Sequence, residues 1–337
     1  MVIVRHCKNC LIPENYPNIK LNNDCICNLC TTRKDGVKND IVLNKKMQTE
    51  FEKYINKVKG RQKYDCVLLF SGGKDSTYML YLLKEKYDLN ILSVYVENGL
   101  EPDVTNENIN NAIKIFDVDH ITIIPENNLL KRIYRQKLLD PEGKSYGESI
   151  CHTCQKLIIS AGLNIAAKKN IPLVIAAYSS DQRDLAELLI NNLSNSWVPD
   201  ILNSENFSEK DRSYYWDPKK YENIPRLIFP LIYDSTNIED IITILEKKKV
   251  NTRKKLSYLY TNCHMGWLTI FLDIYNNNYC IYLKQISSQI RHEKTSRLKW
   301  LFLMPIGCWL IKHKLFKRKQ IEKALAHIDL SYSDIIK

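Results

Sequence analysis

Short apolar runs alternate with amphipathic stretches from Tyr64 to about residue 245. The runs are rich in β-branched residues, whereas the stretches between them repeat apolar residues at helical spacing. This alternation predicts an α/β fold with a doubly wound parallel sheet that is covered on both faces. The predicted strands are 66–70, 91–97, 120–125, 171–177 and 227–232, and the predicted helices between them are 76–87, 106–116, 154–169 and 184–193.

The two ends of the chain have other patterns. Residues 1–40 hold five cysteines among polar residues and turn formers, with too little apolar material for a core. A helix is predicted at 47–62, and the residues after 251 are mostly helical. We therefore predict a zinc-binding knuckle at 1–40, an α/β domain at 47–250 and a helical C-terminal region at 251–337 that completes the site.

The C-terminal region is strongly basic, with nine Lys or Arg against one Glu between positions 291 and 319. Cations neutralise phosphates and aromatic faces stack on bases, so one interpretation is a nucleic-acid surface. The pattern favours the other interpretation, an amphipathic helix pair with an aromatic core and solvated lysines. The interleaved aromatic residues are Trp300, Phe302, Trp309 and Phe316.

Length and composition are those of a globular protein, with 337 residues, 45% hydrophobic and 26% charged. The longest apolar segment, Trp300 to Ile311, contains Pro305 and is shorter than the roughly 20 residues that span a bilayer. No secretory signal pattern opens the chain. We expect a soluble cytoplasmic protein without a membrane partner, in which the eleven cysteines are reduced. The net charge of +11 suggests an anionic partner, nucleotide or nucleic acid, and also fits mere solubility.

The stretch Ser71-Gly-Gly-Lys-Asp-Ser76 follows a predicted buried strand and leads into a predicted helix. Backbone amides and hydroxyls at a helix N-terminus bind anions, and glycines let the backbone approach phosphate oxygens. Asp75 can hold Mg²⁺, which prefers carboxylate and phosphate oxygens. The spacing matches neither the Walker A pattern nor the dinucleotide fingerprint, so γ-phosphate transfer and dinucleotide binding are not favoured.

This loop in its strand-turn-helix setting resembles the pyrophosphate loop of the PP-loop ATP pyrophosphatases, and the resemblance covers roughly residues 64–290. It implies that ATP is cleaved between its α and β phosphates, that a carbonyl oxygen of the substrate is adenylated, and that a sulfur or nitrogen nucleophile displaces AMP. It also implies that Val96 and Asn98, at the end of the second strand, border the adenosine. The loop residues it implies for pyrophosphate and Mg²⁺ are Ser71, Gly72, Gly73, Lys74, Asp75 and Ser76.

Three downstream cysteines form a second candidate site. Cys151 and Cys154 lie at a predicted helix start and Cys263 follows at a distance, a layout that can bind an iron–sulfur cluster or deliver sulfur. It resembles the tRNA 2-thiolation enzymes of the PP-loop superfamily, which implies a [4Fe-4S] cluster on these cysteines. The alternatives that stay open are zinc with His152 or His264, a persulfide-forming pair without a cluster, and buried thiols.

The segment at 171–193 also resembles those thiolation enzymes, in which an Asp follows a strand. Asp181 is the matching position, so the resemblance implies a catalytic role for it beside Asp75 and the three cysteines. The family more often has Gly-His before this Asp, whereas this chain has the sequence Ala-Tyr-Ser-Ser. Any role of that His is therefore not carried over.

The N-terminal segment has the pairs Cys7-x-x-Cys10 and Cys27-x-x-Cys30. Two such pairs predict a tetrahedral four-cysteine zinc site, which supplies the folding free energy that this segment cannot obtain from apolar burial. Cys25 is either a replacement for Cys27 or a spare, and four unliganded thiols are the alternative. Cys66, Cys280 and Cys308 lack partners and are predicted to lie in the core.

The opening Cys-x-x-Cys-Leu-x-Pro, with the later Cys-Asn-x-Cys and the loop, resembles the N-acetyl sugar amidotransferases, which are also PP-loop proteins. This resemblance implies ammonia from a glutaminase partner. Cys263 and the segment at 181–193 favour thiolation instead. We therefore expect an ATP-dependent sulfurtransferase that acts on a nucleobase, free or in tRNA. Its sulfur would come from sulfide or from a donor protein, and the chain would be able to form a homodimer. The sugar amidotransferase is the alternative, and a third hypothesis is a catalytically silent nucleic-acid-binding protein.

Overall fold

A computed structural model describes residues 4–31, 36–140, 145–250 and 263–336, without the side chains of 36–41, 181 and 184. The strands are β1 (Cys66–Leu69), β2 (Ile91–Val96), β3 (Asp119–Ile123), β4 (Leu173–Ala176) and β5 (Arg226–Ile228). The α-helices of the described residues are α1 (Asn28–Thr31), α2 (Gly36–Val58), α3 (Lys74–Tyr81), α4 (Val104–Phe116), α5 (Leu129–Leu139), α6 (His152–Lys168), α7 (Arg183–Asn191), α8 (Glu209–Ser213), α9 (Ile238–Lys247), α10 (His264–Asn277), α11 (Ile281–Arg291), α12 (Arg297–Lys312), α13 (Arg318–His327) and α14 (Tyr332–Ile335).

The five strands form one parallel sheet in the order β3-β2-β1-β4-β5. The chain moves outward from β1 through β2 to β3, then returns to the other side of β1 to form β4 and β5. Leu69 of β1 pairs with Val94 on one side and with Ala176 on the other. The order therefore reverses between β1 and β4, and ligands of open α/β sheets bind at such a reversal, beyond the carboxyl ends of the strands. The predicted doubly wound parallel fold is confirmed.

Burial on both faces explains why the central strands are continuous apolar runs. All four residues of β1 are buried. Leu68 and Phe70 belong to the core on one face of the sheet, with α3, α4 and α9. Val67 and Leu69 belong to the core on the other face, with α6 and α7.

All five predicted strands are present, each shorter than predicted. The last one differs most, because β5 ends at Ile228 and a 3₁₀ turn follows at Pro230–Ile232. Proline has no N–H to continue a ladder, so an apolar sequence that contains one need not stay a strand. The helix that follows the loop begins at Lys74, two residues before the prediction, and continues into a π-helical turn at Leu82–Lys86.

The chain divides into two compact units. The sheet unit consists of Lys45–Ile133 and Thr153–Cys263, and the knuckle unit consists of Met1–Asn44, Tyr134–His152 and His264–Lys337. The sheet unit holds the whole parallel sheet. The three regions predicted from the sequence, 1–40, 47–250 and 251–337, stay a prediction.

The knuckle unit has its own core. Buried Leu11, Ile12 and Tyr16 share it with Ile290 of α11, and Trp300 of α12 packs against it. The cysteine-rich segment therefore has apolar partners in the C-terminal helices, which its own sequence does not reveal. No helix in the described ranges has the length and apolar character that a bilayer crossing requires.

Candidate active site and metal centre

The loop between β1 and α3 requires glycine at position 72 for two reasons. Gly72 has φ +65°, in the left-handed region that side chains disfavour. A Cβ atom at this position would lie 2.8 Å from Cγ1 of Ile109 and 3.1 Å from the carbonyl oxygen of Thr105. The loop backbone therefore packs directly on α4, and any side chain would push it away.

Hydroxyl groups hold the loop in shape. The Ser76 hydroxyl donates to the carbonyl oxygen of Gly73 over 3.0 Å, and the Thr77 hydroxyl donates to the same oxygen over 2.8 Å. The Ser71 amide donates to the Ser76 oxygen over 3.3 Å. The next amides, in the first turn of α3, have no acceptor one turn earlier in their own helix, and the helix dipole adds positive potential there. Amides in this arrangement can bind an anion.

Lys74 and Asp75 add two opposite charges to this anion site. Their side chains form an ion pair in which the Asp75 carboxylate stays 39% exposed. An ammonium group neutralises phosphate, and a solvent-accessible carboxylate can bind Mg²⁺. The pair therefore offers the two groups that an ATP–Mg²⁺ complex requires.

The end of β2 lies at the same edge of the sheet, because β2 and β1 are parallel neighbours. Val96 is its last residue, and Asn98 is fixed just beyond it: the Asn98 amide donates to Glu101 over 2.6 Å, and the Leu100 amide donates to Oδ1 of Asn98 over 2.9 Å. The Cys263 thiol lies 3.9 Å from the same Oδ1. The structure thus brings Cys263 to the predicted adenosine border.

Cys154 also lies in the sheet unit, buried in α6. Burial raises the pKa of Tyr178, and the charge of the Cys154 thiolate raises it further. Tyr178 is the second residue after β4, which pairs with β1. Cys154 is therefore within electrostatic reach of the carboxyl end of β4.

Cys151 belongs to the knuckle unit and ends a π-helical turn, Gly147–Cys151, that precedes α6. Its thiol is half-buried and lies 3.8 Å from the Thr269 hydroxyl. Burial raises the pKa of Cys151 to about 11. The sequence predicts Cys151 at a helix start, where the helix dipole would favour a thiolate. The helical conformation instead starts four residues earlier, at Gly147, so the dipole of the first turn does not act on Cys151.

Sequence reasoning missed Asp273 of α10, which is fully buried. Its carboxylate accepts hydrogen bonds from the amides of Tyr146 and Gly147, at 2.6 and 3.2 Å. Burial raises the pKa of Asp273 to about 7. Asp273 therefore fixes the start of the turn that carries Cys151. The signal in the sequence is a lone Asp inside the apolar run from Trp267 to Tyr275.

Asp181 lies in a 3₁₀ turn, Ser180–Gln182, soon after β4. A capping box between Ser179 and Gln182 closes this turn. The side chain of Asp181 lies outside the described residues. Its backbone follows a strand next to β1, and its catalytic role stays a prediction.

The four predicted cysteines of the N-terminal segment come together, and their sulfur atoms all lie within 4.8 Å of one another. The sulfurs of Cys7 and Cys30 are 3.9 Å apart, and those of Cys10 and Cys27 are 3.6 Å apart. Four thiolates at about 2.3 Å from one tetrahedral Zn²⁺ would be about 3.8 Å apart. The spacing therefore fits a single small ion, since a cluster of several iron atoms holds its thiolates further apart.

Neighbouring groups donate hydrogen bonds to two of these sulfur atoms. The Cys27 amide donates to the Cys7 sulfur over 3.2 Å, and Arg291 of α11 donates to the Cys10 sulfur over 3.3 Å. Hydrogen bonds from Cys27 and Cys30 lower the pKa of Cys10. Cys25 stands outside the set, in the left-handed conformation at φ +58°.

The remaining predicted positions divide between core and surface. Cys66 and Cys280 are buried, as predicted, whereas Cys308 is only half-buried. Trp300 packs on the knuckle core and Phe316 packs edge-on against Trp267. Phe302 and Trp309, by contrast, are 67% and 56% exposed. The basic C-terminal region is therefore neither wholly core nor wholly surface.

The structure thus gathers several predicted residues into two groups, one in the sheet unit and one in the knuckle unit. The loop 71–76, Val96, Asn98 and Cys263 lie at one edge of the sheet, and the four knuckle cysteines form one cluster. Cys154 lies in the sheet unit and Cys151 in the knuckle unit. Joint binding by Cys151, Cys154 and Cys263 stays a prediction.

Comparison with known proteins gives limited matches. No protein-family model matches the chain. A stretch of 115 residues is 40% identical to an uncharacterized protein of Methanocaldococcus jannaschii, and it covers 34% of this chain. The match spans only 38% of the length of that curated relative.

Among solved structures, the chain is similar to the U34-tRNA thiolase NcsA of Methanococcus maripaludis with its [4Fe-4S] cluster, at 14% identity and a TM-score of 0.38, covering 95% of this chain and 89% of that one. It is also similar to NMN synthetase of Francisella tularensis, at 12% identity and a TM-score of 0.38, and the match covers 73% of this chain and 93% of that one. The NH₃-dependent NAD synthetase of Campylobacter jejuni is 15% identical with a TM-score of 0.39, and the match covers 74% of this chain and 93% of that one. In its Ser-Gly-Gly-Lys-Asp-Ser loop and in the parallel sheet that positions this loop, the chain resembles the PP-loop ATP pyrophosphatases.

Proposed function

We propose that the chain is an ATP-dependent enzyme that adenylates a carbonyl oxygen of a nucleobase, free or within tRNA, and replaces that oxygen with sulfur. AMP and pyrophosphate are the other products. The observation that carries this proposal is the loop at Gly72, whose backbone packs on α4 and leads into the N-terminus of α3.

The chemistry follows from this arrangement. A carbonyl oxygen is a poor leaving group, and adenylation converts it into a good one. Pyrophosphate leaves with increased negative charge, which the amides of the first turn of α3 and the Lys74 ammonium stabilise. The Asp75 carboxylate would hold Mg²⁺ against the phosphates. Asn98, at the end of the neighbouring strand, would border the adenosine.

The sulfur chemistry belongs to the cysteines. Cys263 lies beside Asn98 in the sheet unit, so a thiol stands at the edge where the adenylate would form. Three thiol groups suit iron, and a [4Fe-4S] cluster on Cys151, Cys154 and Cys263 would supply an iron that presents sulfide. The four cysteines of the knuckle would hold Zn²⁺, which matches their sulfur spacing.

The test is turnover of ATP to AMP by the full chain, with Mg²⁺, sulfide, and either tRNA or free nucleobases. We expect AMP to form and the acceptor to gain the mass that oxygen-to-sulfur exchange requires. Asp75→Asn is expected to reduce AMP formation by roughly a hundredfold or more, because it removes the metal-binding carboxylate. The control is Asp117→Asn, at the exposed C-cap of α4, where the left-handed backbone at φ +48° accepts Asn. AMP formation that survives Asp75→Asn would refute the metal role.

Removal of single cysteines separates sulfur transfer from activation. Cys263→Ala is expected to abolish sulfur transfer while Mg²⁺-ATP still protects the chain against thermal unfolding, since the loop is unchanged. Cys308→Ala removes a half-buried thiol outside both sites and serves as the control. Equal sulfur transfer by Cys263→Ala and the parent protein would contradict the assignment.

The assembled knuckle favours a second candidate, an N-acetyl sugar amidotransferase. The four cysteines of that resemblance form one cluster and pack against Ile290 and Trp300. This enzyme would use the same loop for activation and ammonia as the nucleophile. Nitrogen incorporation into an acetamido sugar, with ammonia and without sulfide, would favour it over thiolation.

A further inference from the structure

Helix α12 exposes an apolar face. Its inner side carries Trp300 and Met304, which pack on the knuckle core. Its outer side carries large apolar residues with high exposed fractions. These are Leu298 (64%), Leu301 (40%), Phe302 (67%), Leu303 (48%), Ile306 (55%) and Trp309 (56%).

The outer residues form a continuous stripe. Positions 298, 302, 306 and 309 follow the spacing of one helix face, and at 1.5 Å per residue the stripe is about 16 Å long. Soluble proteins rarely leave such a patch uncovered, and those that do use it for binding. Two of the most exposed members, Phe302 and Trp309, are aromatic.

Cations precede and follow this stripe in the sequence, and of these Lys312, Lys314 and Lys317 pack on aromatic rings of the same unit while Arg318 pairs with Glu322. The sequence from Lys294 to Lys319 contains eight Lys or Arg and no Asp or Glu. Lys299, near the start of α12, and Lys319, the second residue of α13, are exposed. A second copy of the chain that docks here would bring these like charges together, which disfavours self-association. The occupant must therefore be apolar and anionic.

Aliphatic side chains distinguish between the anionic candidates. Nucleic acids offer phosphates and base faces, which suit Phe302 and Trp309 but leave Leu298, Leu303 and Ile306 against polar groups. The interface of an anionic bilayer offers acyl chains below a layer of phosphates. A helix with Trp, Phe and Leu on one face and Lys or Arg beside it lies in such an interface, with its apolar face roughly 5–10 Å deep.

We propose that the outer face of α12 docks the protein on the surface of an anionic phospholipid bilayer. The helix lies in the plane of the interface and does not cross it. Leu298, Phe302 and Trp309 enter the acyl boundary, and the flanking lysines contact lipid phosphates. This proposal uses the knuckle unit alone and is independent of the reaction proposed for the sheet unit.

The experiment is co-sedimentation of the full chain with phosphatidylcholine vesicles that do or do not contain phosphatidylglycerol. We expect binding to the anionic vesicles only. The double variant Phe302→Ser/Trp309→Ser is expected to weaken binding by roughly a hundredfold, because it removes most of the aromatic area that enters the lipid. The matched control, Ile124→Ser/Leu139→Ser, removes two residues that are 65% and 54% exposed elsewhere, and it should bind as the parent does.

A second arm tests the charges. Lys299→Gln/Lys319→Gln is expected to weaken binding to anionic vesicles by roughly tenfold or more, since each cation near the surface contributes about 1 kcal/mol. Three results would overturn the proposal. They are no binding of the parent to anionic vesicles, equal loss in the matched control, and a stable dimer or a tRNA complex that Phe302→Ser/Trp309→Ser abolishes while vesicle binding persists.

Discussion

Gly72 illustrates how a single residue links the core to the candidate chemistry. Its positive φ turns the chain from β1 into α3, and its missing side chain lets the loop rest on Ile109 and on the Thr105 carbonyl. Since both contacts lie in the first turns of α4, the position of the loop depends on that helix. A residue chosen for backbone reasons thus positions the amides that would meet phosphate.

Gly72→Ala is expected to lower the free energy of unfolding of the sheet unit by about 1–3 kcal/mol and to abolish ATP turnover. Strained φ and lack of space both contribute. Gly60→Ala is the matched control, because Gly60 has φ +69° but nothing lies within 4 Å of an added Cβ. The measurements are urea unfolding and AMP formation. Equal effects of the two variants on turnover would show that the packing on Ile109 does not matter.

Asp273 carries a pH prediction. Its pKa is raised from 3.8 to about 7 by burial, so between these values the folded state binds a proton that the unfolded state has lost. The unfolding free energy of the knuckle unit therefore falls as pH rises through this window, by an amount of order 4 kcal/mol from this group. Asp273→Asn, which carries no charge, is expected to lose that part of the pH dependence.

Thermal unfolding between pH 4 and pH 8 measures this effect, because this range covers nearly the whole interval between the two pKa values of Asp273, 3.8 and about 7. The control is Asp117→Asn, an exposed carboxyl that should leave the pH profile unchanged. Parallel profiles for the parent and for Asp273→Asn would contradict the assignment.

Local and long-range features differ in how far the sequence predicts them. The loop 71–76 could be predicted because its turn, its glycines and the start of the following helix are contiguous in the sequence. Each of these features has a local physical cause. Asp273 could not, because its role depends on amides at positions 146 and 147, far away along the chain. The rise in the pKa of Cys151 was missed for the same reason, since burial is a property of the folded unit.

The knuckle gives a prediction at the scale of a whole element. Cys27→Ser is expected to lose the zinc ion that we propose for the knuckle, because its sulfur belongs to the four-cysteine cluster, whereas Cys25→Ser should keep that ion. Loss of the metal should also loosen the contacts of the knuckle with Ile290 and Trp300. Zinc content per chain and the emission of Trp300, read against a Trp300→Phe variant, are the measurements. Metal loss in Cys25→Ser with retention in Cys27→Ser would contradict the geometry.

Strands and helices could be predicted where the buried side of an element leaves a regular spacing of apolar residues in the sequence. Short apolar, β-branched runs marked all five strands, and Pro230 accounts for the early end of β5. The sequence predicts an amphipathic helix pair in this region, but α12 is apolar on nearly every side, so its sequence does not reveal which side meets its neighbours. The exposed face of Phe302 and Trp309 therefore emerged only from the fold.

The division into two units leads to a prediction for the whole molecule. Each unit has its own core, so unfolding is expected to show two transitions. Mg²⁺-ATP should stabilise the sheet unit, by roughly 2.7 kcal/mol at a hundredfold excess over the dissociation constant. A zinc chelator should lower only the transition of the knuckle unit. Calorimetry tests this, with Cys27→Ser identifying the knuckle transition, and one transition that responds to both ligands would refute it.

The succession of strands and helices along the chain could be predicted from the sequence. Which segments share a compact unit could not. The knuckle cysteines and α11 belong to one core although most of the chain separates them. Contacts of this kind depend on complementary shapes, which periodicity and spacing do not encode.

The shared core of Cys7 and Ile290 has a consequence for biosynthesis. The ribosome releases the cysteine pairs first and the covering helix α11 only after most of the chain, a delay of roughly 15–60 s at ordinary elongation rates. During that interval the thiols of the nascent chain are open to metal capture and to oxidants alike. An ion captured early would keep the pairs reduced until α11 is made, so we expect the yield of correctly assembled protein to depend on zinc supply during translation.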